Sequence, residues 1–216
     1  MRAALFDMDR TLVRKETASL YVKYQRANGE ATWKDSVRVF GWVMQYTFGV
    51  IDAPDVAARA VRQFEGMPES LLAAKCEAWF PEYVEEHICE LGREAVLRHR
   101  DAGDVVAIVT GATSYIARPV ARALGIEHIV TSELEVDASG RFTGNFIAPL
   151  CYGTGKVERA ARLADELGFG LGEATFYSDS YTDLPLLERV RTPVVVNPDV
   201  RIRRVAQRRG WRVERW

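Results

Sequence analysis

The chain has 216 residues, 48% of them hydrophobic, which suits one large domain or a domain carrying an inserted subdomain. Lys plus Arg (29) nearly balance Asp plus Glu (30), which argues against bulk electrostatic attraction to nucleic acid or to an anionic membrane. Three scattered cysteines, Cys76, Cys89 and Cys151, form no Cys-x-x-Cys pair and no disulfide framework.

The first predicted element is "AALF" (3–6), a short apolar strand that runs directly into Asp7 and Asp9. Residues two apart on a strand share a side, and two carboxylates on one side repel unless a cation or a shared proton compensates them. From about 17 to 82 the pattern is helical throughout. "TASLYVKYQRANG" is followed by the apolar "TWKDSVRVFGWVMQYTFGVI", then "APDVAARAVRQFEG" and "MPESLLAAKCEAWF". "PEYVEEHICELGREAVLRHRDAGD" reads as one long helix. Strand and helix patterns then alternate. "VVAIVT" (105–110) is a continuous apolar run, typical of a strand covered on both faces. Next come a helix in "TSYIARPVARALG", a strand and hairpin around "DASG", and a helix in "GKVERAARLADELG". The pattern closes with "ATFYSD", a short "DLPLLERV" helix, "PVVVN", a last helix, and "WRV" as an edge strand.

This alternation predicts an α/β fold, a doubly wound parallel (Rossmann-like) sheet with an inserted all-helical cap. The expected division is residues 1–15 and 83–216 for the core and 16–82 for the cap. Because such sheets bind ligands beyond the carboxyl ends of their strands, the polar residues at those ends are the site candidates. These are Asp7, Asp9 and Thr11 after the first strand, Thr110 and Gly111 after "VVAIV", and Asp179 and Asp183 after "ATFYS", with Lys156 at the start of the "GKVERA" helix. Several carboxylates in one cleft call for a hard divalent cation such as Mg2+. A hydroxyl, an ammonium and backbone N–H groups suit phosphoryl oxygens, and a carboxylate can attack phosphorus. Lys156 alone among the five lysines lies in the strand–helix region of this Arg-rich chain, consistent with a local need for a compact point charge.

"DMDRT" (7–11), "VTG" (109–111), Lys156 in "GTGK" and "SDSYTD" (178–183), in that order, resemble the four motifs of the haloacid dehalogenase superfamily. The helical insertion and Glu16 resemble its phosphoserine phosphatase-like branch (subfamily IB). The resemblance implies that Asp7 is the nucleophile and a Mg2+ ligand, and that Asp9 is the general acid and base, binding Mg2+ through its carbonyl. Thr110, Gly111 and Lys156 would hold the phosphoryl group, and Asp179 would bind the metal. Asp183 would orient a metal-bound water or Lys156. It also implies a small phosphomonoester substrate. Glu16 matches an amine-binding position, whereas Arg59 and Arg62 lie out of register with the family's carboxylate-gripping arginine. Arg10 and Thr182 depart from the usual motif residues.

Nucleotide-binding and histidine-metal motifs do not fit the spacing, whereas two alternatives stay open. "GTGK" lacks the earlier glycine and the Ser/Thr of a P-loop, and "GFGLG" follows a helix rather than a strand. His87, His99 and His128 have no metal-ligand spacing. A phosphotransferase or phosphomutase would share every core residue. The apolar 39–51 face offers a further alternative, a homodimer contact or a membrane-peripheral surface. The N-terminus meets acids before any signal-peptide core, and no apolar run reaches about 18 residues, so a cytoplasmic protein without stable membrane insertion is expected.

Overall fold

A computed structural model describes residues 1–30 and 61–216. The helices expected between 31 and 60, the apolar 39–51 face with its dimer and membrane readings, and Arg59 all lie outside the described residues. β1 (Ala3–Phe6) is buried along its whole length. Its neighbours are β2 (Val105–Thr113) and β5 (Thr175–Ser178), both parallel to it. β3 (His128–Val136) pairs in parallel with β2, and β4 (Phe142–Ile147) pairs antiparallel with β3. On the other side β6 (Thr192–Val196) and β7 (Arg212–Glu214) continue the sheet in parallel. The order is β4-β3-β2-β1-β5-β6-β7. The chain therefore lays strands outward to one side of β1 and then returns to its other side. That reversal opens a crevice at the carboxyl end of β1, where doubly wound sheets place ligands.

Both faces of the sheet are covered, which is why β1 and β2 read as unbroken apolar runs. Ala4, Phe6 and Ile108 face one core, shared with Val96 of α3 (Glu90–Asp101) and Val120 of α4 (Ser114–Leu124). Ala3, Leu5, Ala107 and Val109 face the other. There they meet Ala160 of α5 (Thr154–Leu167), Leu186 of α6 (Leu184–Leu187) and Ile202 of α7 (Val200–Arg209).

In the region read as the cap, α1 (Thr17–Ala27) packs on α2 (Glu69–Tyr83), with the Tyr21 and Trp79 rings edge-on at 5.7 Å. The segment before α2 is clasped to the β4 hairpin. Gly66 N–H donates to Phe142 O at 2.9 Å, Phe142 N–H to Met67 O at 3.0 Å, and Arg141 Nη1 to Gly66 O at 2.6 Å. Tyr115 of α4 adds a 2.8 Å bond to Glu69 Oε1.

The single long helix expected from Pro81 to Asp104 is not formed. α2 runs through Pro81 and stops at Tyr83, a 3-10 turn spans Glu85–His87, and α3 begins at Glu90. The cause is long-range pairing: Ile88 bridges Val13, Cys89 N–H donates to Leu12 O, and Arg14 N–H donates to His87 O. Backbone groups committed to the segment after β1 cannot also serve a helix. Among the described residues no helix is long and apolar enough to cross a membrane.

Candidate active site

Asp7 continues β1 by one residue, its N–H donating to Tyr177 O of β5 at 2.8 Å. Since Phe6 is in register with Tyr177, Asp7 and the Ser178–Asp179 pair emerge side by side at the crevice. Lys156 enters from the first turn of α5. That turn starts after Gly153 (φ 53°) and sits so close to the preceding loop that a Cβ on Gly155 would overlap the Leu150 carbonyl oxygen. The close approach seats Lys156 deep in the site, 3% exposed.

The Lys156 ammonium donates to Asp7 Oδ1 at 2.8 Å and to Asp183 Oδ2 at 2.8 Å. Asp183 also accepts the Ser178 hydroxyl at 2.7 Å. Burial is the main influence on Asp7, pushing its carboxyl up to about 7; Lys156 opposes this and Asp183 adds to it. Asp179 is pushed up to about 9, first by burial and then by the charge of Asp7. For Lys156 burial alone favours the neutral amine, but Asp183 and Asp7 outweigh it and hold the ammonium charged.

Asp9 is partly exposed and accepts the Thr17 N–H at 2.7 Å, at the positive end of α1. Burial and then Glu16 raise its carboxyl above the usual carboxylate range. Glu16 is the N-cap residue of α1. Thr110 is buried at the end of the "VVAIV" run, its hydroxyl accepting the Ala112 N–H at 3.2 Å, with Gly111 exposed beside it. The structure thus joins Asp7, Asp183 and Lys156 by direct contact, sets Asp179 beside them, and brings Asp9 next to Glu16. Arg62 is exposed, and no described contact ties it to the acids.

Two features were not assigned from sequence. Ser178 is fully buried and holds Asp183. Strand alternation places it on the same side as Phe176, and a buried hydroxyl closing an apolar strand needs a partner, which was the available signal. Arg10 adopts left-handed backbone (φ 59°) and directs its guanidinium to Asp179, Nε to Oδ2 at 3.3 Å, with Glu16 Oε1 3.9 Å from Nη1.

Among the described residues no three His, Cys, Asp or Glu side chains form a ready metal cage. The available donors are the Asp7 and Asp179 carboxylates and backbone carbonyls, all oxygen. Such a sparse oxygen set fits Mg2+, which keeps several of its waters, better than a transition metal. Burial first, and then the charge of Asp7, raises Asp179, and a cation bound here would offset both.

Comparison with known proteins identifies the family. The haloacid dehalogenase-like hydrolase family model matches residues 4–188. The chain is 34% identical over 215 residues to phosphoserine phosphatase SerB1 of Mycobacterium tuberculosis, covering 98% of this chain and 70% of that protein. It is 30% identical over 214 residues to a histidinol-phosphatase of Neisseria meningitidis, covering 97% and 96%. A solved structure of a Bordetella pertussis protein of unknown function matches with a TM-score of 0.89 at 31% identity, covering 99% and 97%. The chain belongs to the haloacid dehalogenase-like hydrolases, and within them to the phosphatases that resemble phosphoserine phosphatase.

Proposed function

We propose that the chain hydrolyses a small phosphomonoester with Mg2+, carrying the phosphoryl group on Asp7. The observation that supports this most is the buried Lys156 ammonium held between Asp7 and Asp183, beside Asp179. Lys156 occupies Asp7 Oδ1 and leaves the second carboxylate oxygen to attack phosphorus. As the new Asp7–phosphorus bond forms, the bond to the leaving alcohol breaks, and Asp9 gives that oxygen its proton. Asp9 then takes a proton from water, which attacks phosphorus and releases phosphate and the Asp7 carboxylate. Thr110, the Gly111 N–H and Lys156 hold the non-bridging oxygens through the cycle. Asp7, Asp179 and the Asp9 carbonyl would hold Mg2+, with Asp183 orienting Lys156 or a water on the ion. The ion supplies charge neutralisation for the phosphoryl oxygens.

The two named relatives carry the names of phosphate esters of amino alcohols, and in this reading Glu16, close to Asp9, is the carboxylate that would receive the ammonium of such a leaving group. The test is a phosphatase screen with Mg2+, repeated with EDTA. Its panel covers phosphoserine, histidinol phosphate, phosphocholine, sugar phosphates and a lipid phosphate. Release of phosphate that EDTA abolishes supports the reading. Phosphate appearing on an added alcohol rather than in solution would instead indicate a phosphotransferase.

A further inference from the structure

Arg10 holds its guanidinium 3.3 Å from Asp179 Oδ2, yet the Asp179 side chain is 6% exposed while that of Arg10 is 46% exposed. The arginine thus reaches from solvent onto a buried carboxylate at the cluster's open side. Its backbone is left-handed, a conformation that costs a non-glycine residue of order 1 kcal/mol or more. The turn keeps that conformation because Thr11 N–H and Val13 N–H both bond Met8 O, at 3.4 and 2.9 Å, and Val13 bridges Asp9 and Ile88. The side chain is therefore aimed by a turn anchored to the core. The second acid within reach is Glu16, on the α1 side, 3.9 Å from the other arm of the guanidinium.

Asp179 cannot serve a divalent ion and Arg10 equally. Near an occupied cation site a guanidinium is attracted once by the carboxylate and repelled by an ion of twice its charge. The sign holds whether Asp179 carries a proton or not before the ion arrives, because the repulsion exists only in the loaded state.

We propose that Arg10 is a tethered counter-charge that covers Asp179 before the divalent cation binds and moves onto Glu16 when it does, so that Arg10 sets the affinity for the ion. This rests on the reading of Asp179 as a cation ligand given above. Arg10 is a positioning residue: it acts on the metal through Asp179 and touches no reacting atom.

The experiment is a calorimetric Mg2+ titration at fixed ionic strength, on wild type, Arg10→Gly, Arg10→Lys and Arg14→Ala. Glycine accepts the left-handed turn, so Arg10→Gly removes the charge without straining the backbone. Arg10→Gly is expected to bind Mg2+ about fivefold tighter, the scale of one partly exposed ion pair. Arg10→Lys should stay near wild type because it keeps a cation on the same stem. Arg14, exposed and bonded instead to Glu86 O, should leave the affinity unchanged when replaced. Equal or weaker binding by Arg10→Gly overturns the proposal, as does equal tightening by Arg14→Ala. If wild type shows neither heat nor a thermal shift with Mg2+, the cation reading itself falls, a result distinct from the variant pattern.

Discussion

Lys156 Nζ lies 2.8 Å from Asp7 Oδ1, although 149 positions of chain separate the two residues. Neither group is tolerable alone at this depth, since an unpaired buried charge costs several kcal/mol. Each therefore requires the other, and Asp183 completes the set. Lys156→Ala leaves two buried carboxylates facing each other, which then take up protons. Its expected cost is about 3 kcal/mol of stability in a urea melt, with phosphatase activity lost. Lys156→Arg should fail to restore activity, because a planar fork does not fit where an ammonium bridges two acids.

Asp7→Asn removes the attacking oxygen and keeps the volume. Turnover of p-nitrophenyl phosphate should fall to background while the circular dichroism spectrum stays that of wild type. Wild-type turnover in a pure Asp7→Asn sample would remove Asp7 as nucleophile.

Ser178→Ala deletes the 2.7 Å bond to Asp183 and leaves one carboxylate lone pair short of a donor. A loss of about 1–2 kcal/mol is expected. Activity should fall less than in Lys156→Ala, since Lys156 still holds Asp183. Comparing the two variants by kcat and by melting midpoint checks the order.

Gly155→Ala tests the close seat of α5. The new methyl would overlap Leu150 O and stand 3.0 Å from Pro149 Cβ, so the helix start must move and take Lys156 with it. Destabilisation of about 2 kcal/mol or more is expected, together with a drop in kcat. A wild-type melting curve for Gly155→Ala would show that the loop yields freely.

Stability should depend on pH in the direction opposite to that of an ordinary salt-bridged carboxylate. Asp7 rises from 3.8 to about 7 and Asp179 from 3.8 to about 9 on folding, chiefly through burial. In the metal-free protein the folded state binds the extra protons. The stabilisation these groups give is then full below their unfolded pKa and is lost as pH climbs through 7 to 9. Melting temperature with EDTA should fall across that range, and Mg2+ should raise it more at its alkaline end than at about pH 5. A Mg2+ shift of equal size at both ends would contradict the account.

The sequence exposed the parts of this molecule that repeat a physical pattern. β1 and β2 were legible because strands buried on two faces need unbroken apolar runs, and the acids were legible because they follow such runs. The break between α2 and α3 was not, because it depends on Leu12 and Val13 capturing residues about 75 positions away, and helical periodicity carries no trace of such a partner. β2 extends beyond Thr110 to Thr113 for a similar reason: Thr113 pairs with Ser132 across an irregular register. The left-handed turn at Arg10 was hidden because its residue is neither glycine nor asparagine, the types that announce that conformation. Ser178 lay within the polar run "SDSYTD", where Asp179 and Asp183, buried as well, are the residues whose charge draws the eye.

The clasp between residues 66–69 and β4 has a consequence for how the molecule behaves in a crowd. An open strand border is a template on which a second polypeptide can add itself, the first step toward aggregation. At β4 the outward groups of Phe142 are already taken by Gly66 and Met67. At the opposite border β7 offers three residues, two of them the oppositely charged Arg212 and Glu214. One margin is covered where β4 begins and the other is short and charged, so each offers an incoming chain less than a long bare border would.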